Sequence, residues 1–242
     1  MKNTAVQVTD LNFSYPDKTN ALKNINFSLG KGQSLGIIGP NGSGKSTLLL
    51  HLNGVLKQDG SVRIFGDLIK KQNIKTIRRK VGLVFQDPND QLFMPTVFDD
   101  VAFGPLNLGM DRDQIEKKVK ITMKNLGLNG YEEKNPSHLS LGERKKVSLA
   151  TVLVLEPQIL VLDEPTANLD PGSKKSFINI IKKISTTKII ASHDMDSIFD
   201  LCGRVLMMND GRIVTQGKSE HILMDKELLE ANNLELPSQL RS

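Results

Sequence analysis

Nine consecutive residues could hold a phosphate chain: Gly39, Pro40, Asn41, Gly42, Ser43, Gly44, Lys45, Ser46 and Thr47. They follow the apolar run Leu35-Gly36-Ile37-Ile38 and precede the helix-forming run Leu48-Leu49-Leu50-His51-Leu52. Buried strand, Gly-rich turn and helix start are the setting in which such a loop binds a nucleoside triphosphate. Glycines let backbone N–H groups approach an anion without Cβ interference, and the positive end of the helix faces the same point. Lys45 adds a point charge near the β- and γ-phosphates, and the Ser46 hydroxyl is a ligand for Mg²⁺. With the full spacing present, a Gly-rich turn that binds nothing is the weaker reading.

A second group follows the apolar run Ile159-Leu160-Val161-Leu162. Asp163 stands at the carboxyl end of this expected parallel strand, where a carboxylate suits Mg²⁺ coordination. Glu164 is placed to accept a proton from, or orient, a water attacking the γ-phosphate.

The elements that must position these groups read as α/β. Ala5 to Phe13 and Leu22 to Leu29 alternate as strands. Ser34 to Ile38 leads into the phosphate loop. Ser61 to Phe65 is a short strand between turns at Gly60 and Gly66, and Val81 to Phe85 is a buried strand. From about 90 to 142 the character becomes helical, with Asp111 to Leu126 carrying Ile115, Val119, Ile121, Met123 and Leu126 at roughly helical spacing. A long helix is expected from Leu141 to Leu155, stopped at Glu156-Pro157. Then β/α alternation resumes: helix Ser173 to Ile184, strand Lys188 to Ser192, helix Met195 to Cys202. A hairpin turns at Asp210-Gly211, and a short helix lies within Lys226 to Leu236.

The 242 residues carry 32 Lys+Arg against 27 Asp+Glu, a net charge of +5. Apart from Lys70-Lys71, Arg78-Arg79-Lys80 and Arg144-Lys145-Lys146 the basic residues are dispersed, which reads as solvated helix faces and selects no partner. With Cys202 the one cysteine, no intrachain disulfide can form. No run of about 18 apolar residues exists to span a membrane. Met1-Lys2-Asn3-Thr4 leads into a strand, not an apolar signal region. A cytosolic protein is expected, peripheral if it works at a membrane.

Taken together, these motifs resemble those of ABC-type ATPases along nearly the whole chain. The resemblance implies a P-loop NTPase core with a mainly parallel sheet, an N-terminal antiparallel β-subdomain and an inserted α-helical subdomain. One domain would span 1–242, with about 1–89 and 143–242 as core and about 90–142 as the helical insertion. It further implies that Tyr15 stacks on adenine, that Gln86 reaches Mg²⁺ and the attacking water, and that His193 contacts the γ-phosphate. Leu139-Ser140-Leu141-Gly142-Glu143 matches the family signature, and Asp170 the loop that crosses a dimer interface. Leu141 stands where glycine is usual and Glu143 where glutamine is common. In the family, this segment touches the nucleotide of a partner subunit, so a homodimer, or a heterodimer with a related ATPase, would complete two ATP sites.

Val84 to Phe93, Thr96 to Pro105, His193 to Asp196 and the tail Leu228 to Pro237 are similar to energy-coupling factor importer ATPases, especially the cobalt/nickel type. That similarity implies a transmembrane coupling subunit, a substrate-binding membrane subunit, and a place on the cytoplasmic side of the cell membrane. Phe93, Met94 and Phe98 are candidates for the docking groove. No nucleic acid is expected. A soluble ABC ATPase acting on DNA or ribosomes is the alternative; such proteins usually carry tandem ATPase domains or a long coiled coil.

Overall fold

The computed structural model describes residues 3–56 and 61–240. The expected turn at Gly60 lies outside the described residues. The first two strands, β1 (Thr4–Ser14) and β2 (Asn20–Gly30), pair antiparallel, and β4 (Val62–Ile64) and β5 (Asp67–Leu68) extend them into a sheet ordered β2-β1-β4-β5.

The larger sheet has the order β10-β9-β3-β8-β7-β6. Its strands are β3 (Ser34–Ile38), β6 (Val81–Val84), β7 (Ile159–Asp163), β8 (Thr187–Ala191), β9 (Arg204–Asn209) and β10 (Arg212–Lys218). All neighbours are parallel except the β9/β10 hairpin. Both faces of this sheet are covered, which is why its strands are continuous apolar runs instead of alternating ones. One face packs β1, β2 and helix α1 (Lys45–Leu52) through Val6, Leu22, Leu48 and Ile189. The other packs α5 (Leu141–Leu153), α6 (Pro171–Lys183) and α7 (Met195–Leu201) through Val147, Phe177 and Ile198.

Parallel register brings the carboxyl ends of β3, β6, β7 and β8 to one edge. Asp163 on β7 pairs with Ala191 on β8, and Ile37 on β3 pairs with the same Ala191. Residues just past these ends therefore meet outside the sheet, where ligands bind in open α/β folds.

Three elements differ from the sequence reading. Helix α2 (Ile74–Lys80) was not expected, since only Ile77 in it is buried. Residues 90–142 contain two helices, α3 (Val97–Asn107) and α4 (Arg112–Asn125), and the first runs through Gly104-Pro105. Thr96 caps α3 by accepting from the Asp99 N–H, and Pro105 sits in its last turn, so the helix ends before the proline ring can disturb another turn. The chain's last part holds two short helices, α8 (Ser219–Leu223) and α9 (Lys226–Ala231), where one was expected. Among the described residues no helix is long and apolar enough to cross a membrane.

Candidate functional site

The phosphate loop bends sharply over the end of β3. Gly39 has φ +149 and Gly44 φ +99. A Cβ on Gly39 would run into the Met208 carbonyl, and one on Gly44 would lie 2.6 Å from the Ala21 oxygen. The turn therefore requires glycine at both places. Helix α1 starts at Lys45 with Gly44 as its cap and no side-chain cap bond, whereas α3, α4, α5 and α6 are each capped by Ser, Thr or Asp. Its first N–H groups remain open to an anion.

Lys45 is 6% exposed, and its Nζ donates to the carbonyls of Gly39 at 2.8 Å and Pro40 at 3.0 Å. Burial lowers its pKa, opposed by the charges of Glu164 and Asp163. Thr47, further along α1, hydrogen-bonds the Tyr15 hydroxyl at 3.0 Å, and the Tyr15 ring meets Phe13 edge-on at 5.0 Å. This fixes the Tyr15 ring at the mouth of a cleft of about 570 Å³. Asn41, Gly42, Lys45, Ser46, Gln86, Glu164 and His193 line the same cleft.

Glu164 follows β7 and is buried to 6% exposure. Its Oε1 accepts from the His193 backbone N–H at 3.1 Å and lies 2.9 Å from His193 Nδ1; Oε2 accepts from Ser192 Oγ at 3.1 Å. A carboxylate only accepts here, so Nδ1 carries the hydrogen and Nε2 is left to face the cleft. Burial raises the Asp163 pKa; the Ser46 hydroxyl lowers it by hydrogen bonding, Glu164 raises it, and Lys45 and Lys145 lower it. Asp163 Oδ1 is buried without a hydrogen-bond partner among the described residues. An orphan carboxylate oxygen beside a serine hydroxyl is a hard-oxygen donor pair that fits Mg²⁺.

The remaining predicted residues form a second group that does not line the cleft. Ser140 caps α5 in a reciprocal box: its Oγ accepts from the Glu143 N–H at 3.3 Å, and its N–H donates to Glu143 Oε2 at 2.8 Å. Tyr131 donates to Glu143 Oε1 at 2.6 Å. That bond, followed by those from Ser140, lowers the Glu143 pKa. A Cβ on Gly142 would sit 3.0 Å from Ser173 Oγ, and Asp170 caps α6 by accepting from the Ser173 N–H at 3.0 Å. Thus α5 and α6 bring Ser140, Leu141, Gly142, Glu143 and Asp170 to one surface.

This geometry has known counterparts. A family model described as "ABC transporter" matches residues 22–167. The chain belongs to that family. It is an ATP-binding ABC ATPase. It is 45% identical over 238 residues to the energy-coupling factor transporter ATP-binding protein EcfA of Methanothermobacter thermautotrophicus, covering 96% of this chain and 76% of that one. The EcfA of Methanocaldococcus jannaschii is also 45% identical over 238 residues, covering 96% and 85%. Among solved structures it is similar to cbiO1 from Clostridium perfringens, described as part of the ABC transporter complex cbiONQ. That similarity has TM-score 0.83 and 37% identity, covering 96% of this chain and 95% of that one. A dimeric ATP-binding cassette in a post-hydrolysis state with ADP and Pi matches at TM-score 0.79 and 27% identity, covering 88% and 98%.

Two features of this ABC ATPase escaped the sequence reading. Arg144-Lys145-Lys146 looked like a solvated helix face, yet Lys145 is 4% exposed and points into the site. Thr19, Asn20, Ala21, Asp210 and Gly211 complete the cleft from the β2 start and the β9/β10 turn. The Asp210-Gly211 turn was legible, but no local signal tells which distant cleft it reaches.

Proposed function

We propose that this chain is the ATP-hydrolysing subunit of an energy-coupling factor importer, and that two ATPase subunits close on two ATP molecules to drive a membrane partner. One observation carries the reading: the candidate site residues form two groups on separate surfaces of one chain. Neither group alone surrounds a triphosphate, and in a two-fold dimer each faces the other's counterpart.

In the cleft, the loop between Gly39 and Thr47 binds the phosphates through its open N–H groups, those at the α1 start foremost, and through the Lys45 ammonium, and Tyr15 stacks on the adenine. Ser46, Asp163 and Gln86 are the residues that would hold Mg²⁺, which neutralises charge on the β- and γ-oxygens when bound. Glu164 takes the proton of the attacking water, and His193, oriented by Glu164, turns its ring edge toward the γ-phosphate. Ser140, Gly142 and the α5 N-terminus approach the γ-phosphate of the partner's ATP, with Leu141, Glu143 and Asp170 at the joint. Residues 1–242 then act as one ABC domain whose helical part, about 90–142, transmits closure.

The membrane partner is supported by the relatives' names and by Phe93, which is 64% exposed and stacks edge-on with Phe103 at 4.9 Å. Among the sequence candidates, Phe98 is half-buried against the core and Met94 is also half-buried, so Phe93 is the most exposed docking residue. Cobalt, nickel or another micronutrient would be the cargo of the membrane subunits, with this chain peripheral on the cytoplasmic side. The test is Phe93→Glu. It should leave ATP turnover of the isolated protein intact while abolishing co-purification with the membrane fraction; retained co-purification would count against the docking role.

A further inference from the structure

Lys145 lies in the second turn of α5 and is almost completely buried. Its Nζ donates to the Glu164 carbonyl at 3.0 Å and to the Gln86 carbonyl at 3.2 Å. These are the residues immediately beyond β7 and two residues beyond β6. Burial disfavours the ammonium, and the carboxylates of Glu164, Asp87 and Asp163 oppose that loss. A buried cation is a poor way to hold a helix on a sheet, because an apolar side chain of similar volume does so without desolvation. Nor is it needed for that purpose. Val147, Leu149 and Ala150 of α5 are fully buried, and Gln91 Nε2 ties α5 to the Gln86 loop through the Ser148 carbonyl and Thr151 Oγ1.

What Lys145 does hold is unusual backbone. Glu164 has φ +43, a left-handed conformation that a non-glycine residue keeps only where its surroundings over-determine it. The Glu164 N–H donates to the Ala191 carbonyl at 2.9 Å, and its carboxylate is held from Ser192 and His193. The Glu164 carbonyl accepts from the Ala167 N–H at 3.2 Å and from Lys145, which is its one side-chain donor among the described residues and with the same ammonium also holds the backbone from which Gln86 projects. Three donors on one rotatable head let lysine serve two carbonyls from different strands.

We propose that Lys145 is a positioning residue for hydrolysis, setting the backbones of Glu164 and Gln86 so that both side chains face one point of the cleft. This rests on the function proposed above. It acts through Glu164 and touches no substrate, so its loss should appear in turnover and not in ATP affinity.

The experiment compares Lys145→Met, Lys145→Gln and Lys145→Arg in the full chain, each alone and combined with Glu164→Gln. Steady-state phosphate release gives kcat and KM, nucleotide titration gives Kd, and thermal melting checks the fold. Lys145→Met should lower kcat by about 10²-fold, the scale of a small misplacement at a reacting centre, with Kd for ATP unchanged. Lys145→Arg, which keeps two or more donors, should recover most of that loss. In the Glu164→Gln background Lys145→Met should slow hydrolysis by much less than about 10²-fold, because the part it exerts through the Glu164 carboxylate is already lost and only the Gln86 part remains. Should Lys145→Met fail to fold, Lys145→Gln, with one amide donor pair, is judged by the same kcat and Kd comparison. Wild-type kcat in the folded Lys145 variants, a loss confined to Kd, or full multiplication of the two effects would overturn the positioning role. Near wild-type turnover of Glu164→Gln alone would instead count against the function proposed above.

Discussion

Glu164→Gln separates the chemistry from the binding, and the structure sets its magnitude. The amide has the shape of the carboxylate. Its oxygen can take the Oε1 position, accepting from the His193 N–H now at 3.1 Å and from Nδ1 at 2.9 Å. Its NH₂ then faces Ser192 Oγ, now 3.1 Å from Oε2, and the hydroxyl can turn to accept it. The fold therefore loses on the order of 1 kcal/mol, one altered hydrogen bond. Lys45 and the open amides of α1 are untouched, so ATP affinity should persist. The lost quantity is basicity: a positioned general base contributes about 10²- to 10⁴-fold. At 1.36 kcal/mol per decade this is a barrier increase of about 3 to 5 kcal/mol. Phosphate release under saturating ATP and Mg²⁺, beside a nucleotide titration on the same preparation, measures both. Turnover within a factor of about three of the unsubstituted chain, roughly 0.7 kcal/mol, would refute Glu164 as the base.

The other predictions follow the same separation of the two groups. Lys45→Ala should abolish useful ATP affinity, and Gly142→Asp should abolish turnover by placing a carboxylate against Ser173 and the partner's phosphate. Mixed together, the two inactive chains should regain partial turnover, since each supplies what the other lacks; no recovery in a confirmed mixed dimer would refute the shared site. Burial raises the Asp163 pKa, so its ionised form costs stability above the usual 3.8 and that cost is relieved as pH falls through the raised value. Asp163→Asn should therefore not lower the melting temperature at neutral pH, while nucleotide binding should lose its dependence on Mg²⁺. In the unsubstituted chain that Mg²⁺ dependence should fade with acid already above pH 3.8, as Asp163 protonates. Glu143→Gln keeps an acceptor for the α5 cap but removes a negative charge, so ATP-driven dimerisation, read by light scattering, should strengthen; an unchanged dimer affinity would count against Glu143 lying near the partner's phosphate.

The legible parts of the site were those whose physics is local. A loop that needs glycine at 39 and 44 must show it in sequence, because another residue would collide with Met208 or Ala21. Asp163 and Glu164 were legible because an apolar strand ends in them, and the parallel register carries them to the loop. The second group was legible as a motif whose capping serine and acid stand three residues apart. Lys145 was not, because charge in a basic triplet predicts solvent, while its partners are the Glu164 and Gln86 carbonyls, 19 and 59 residues away, which no local pattern brings to it. Helix α3 was blurred by Gly104-Pro105, a breaker pair that does little harm in a last turn. Asp210 reaches the cleft only because β9 lies beside β3, a pairing across more than 160 residues.

The two helix N-termini differ in a way that orders the events of closure. Helix α1 has no side-chain cap, so phosphate meets free amides and displaces nothing there except the Lys45 contacts to Gly39 and Pro40. Helix α5 is already capped by its own carboxylate, with Glu143 taking the Ser140 N–H and hydroxyl. A phosphate from the partner must compete with that acid for the same helix end, and like charge raises the cost. Binding at the chain's own loop is thus the easier step, and engagement across the interface is the step that must be driven. In the dimer proposed above, closure would therefore follow the seating of ATP, the order that work on a membrane partner requires.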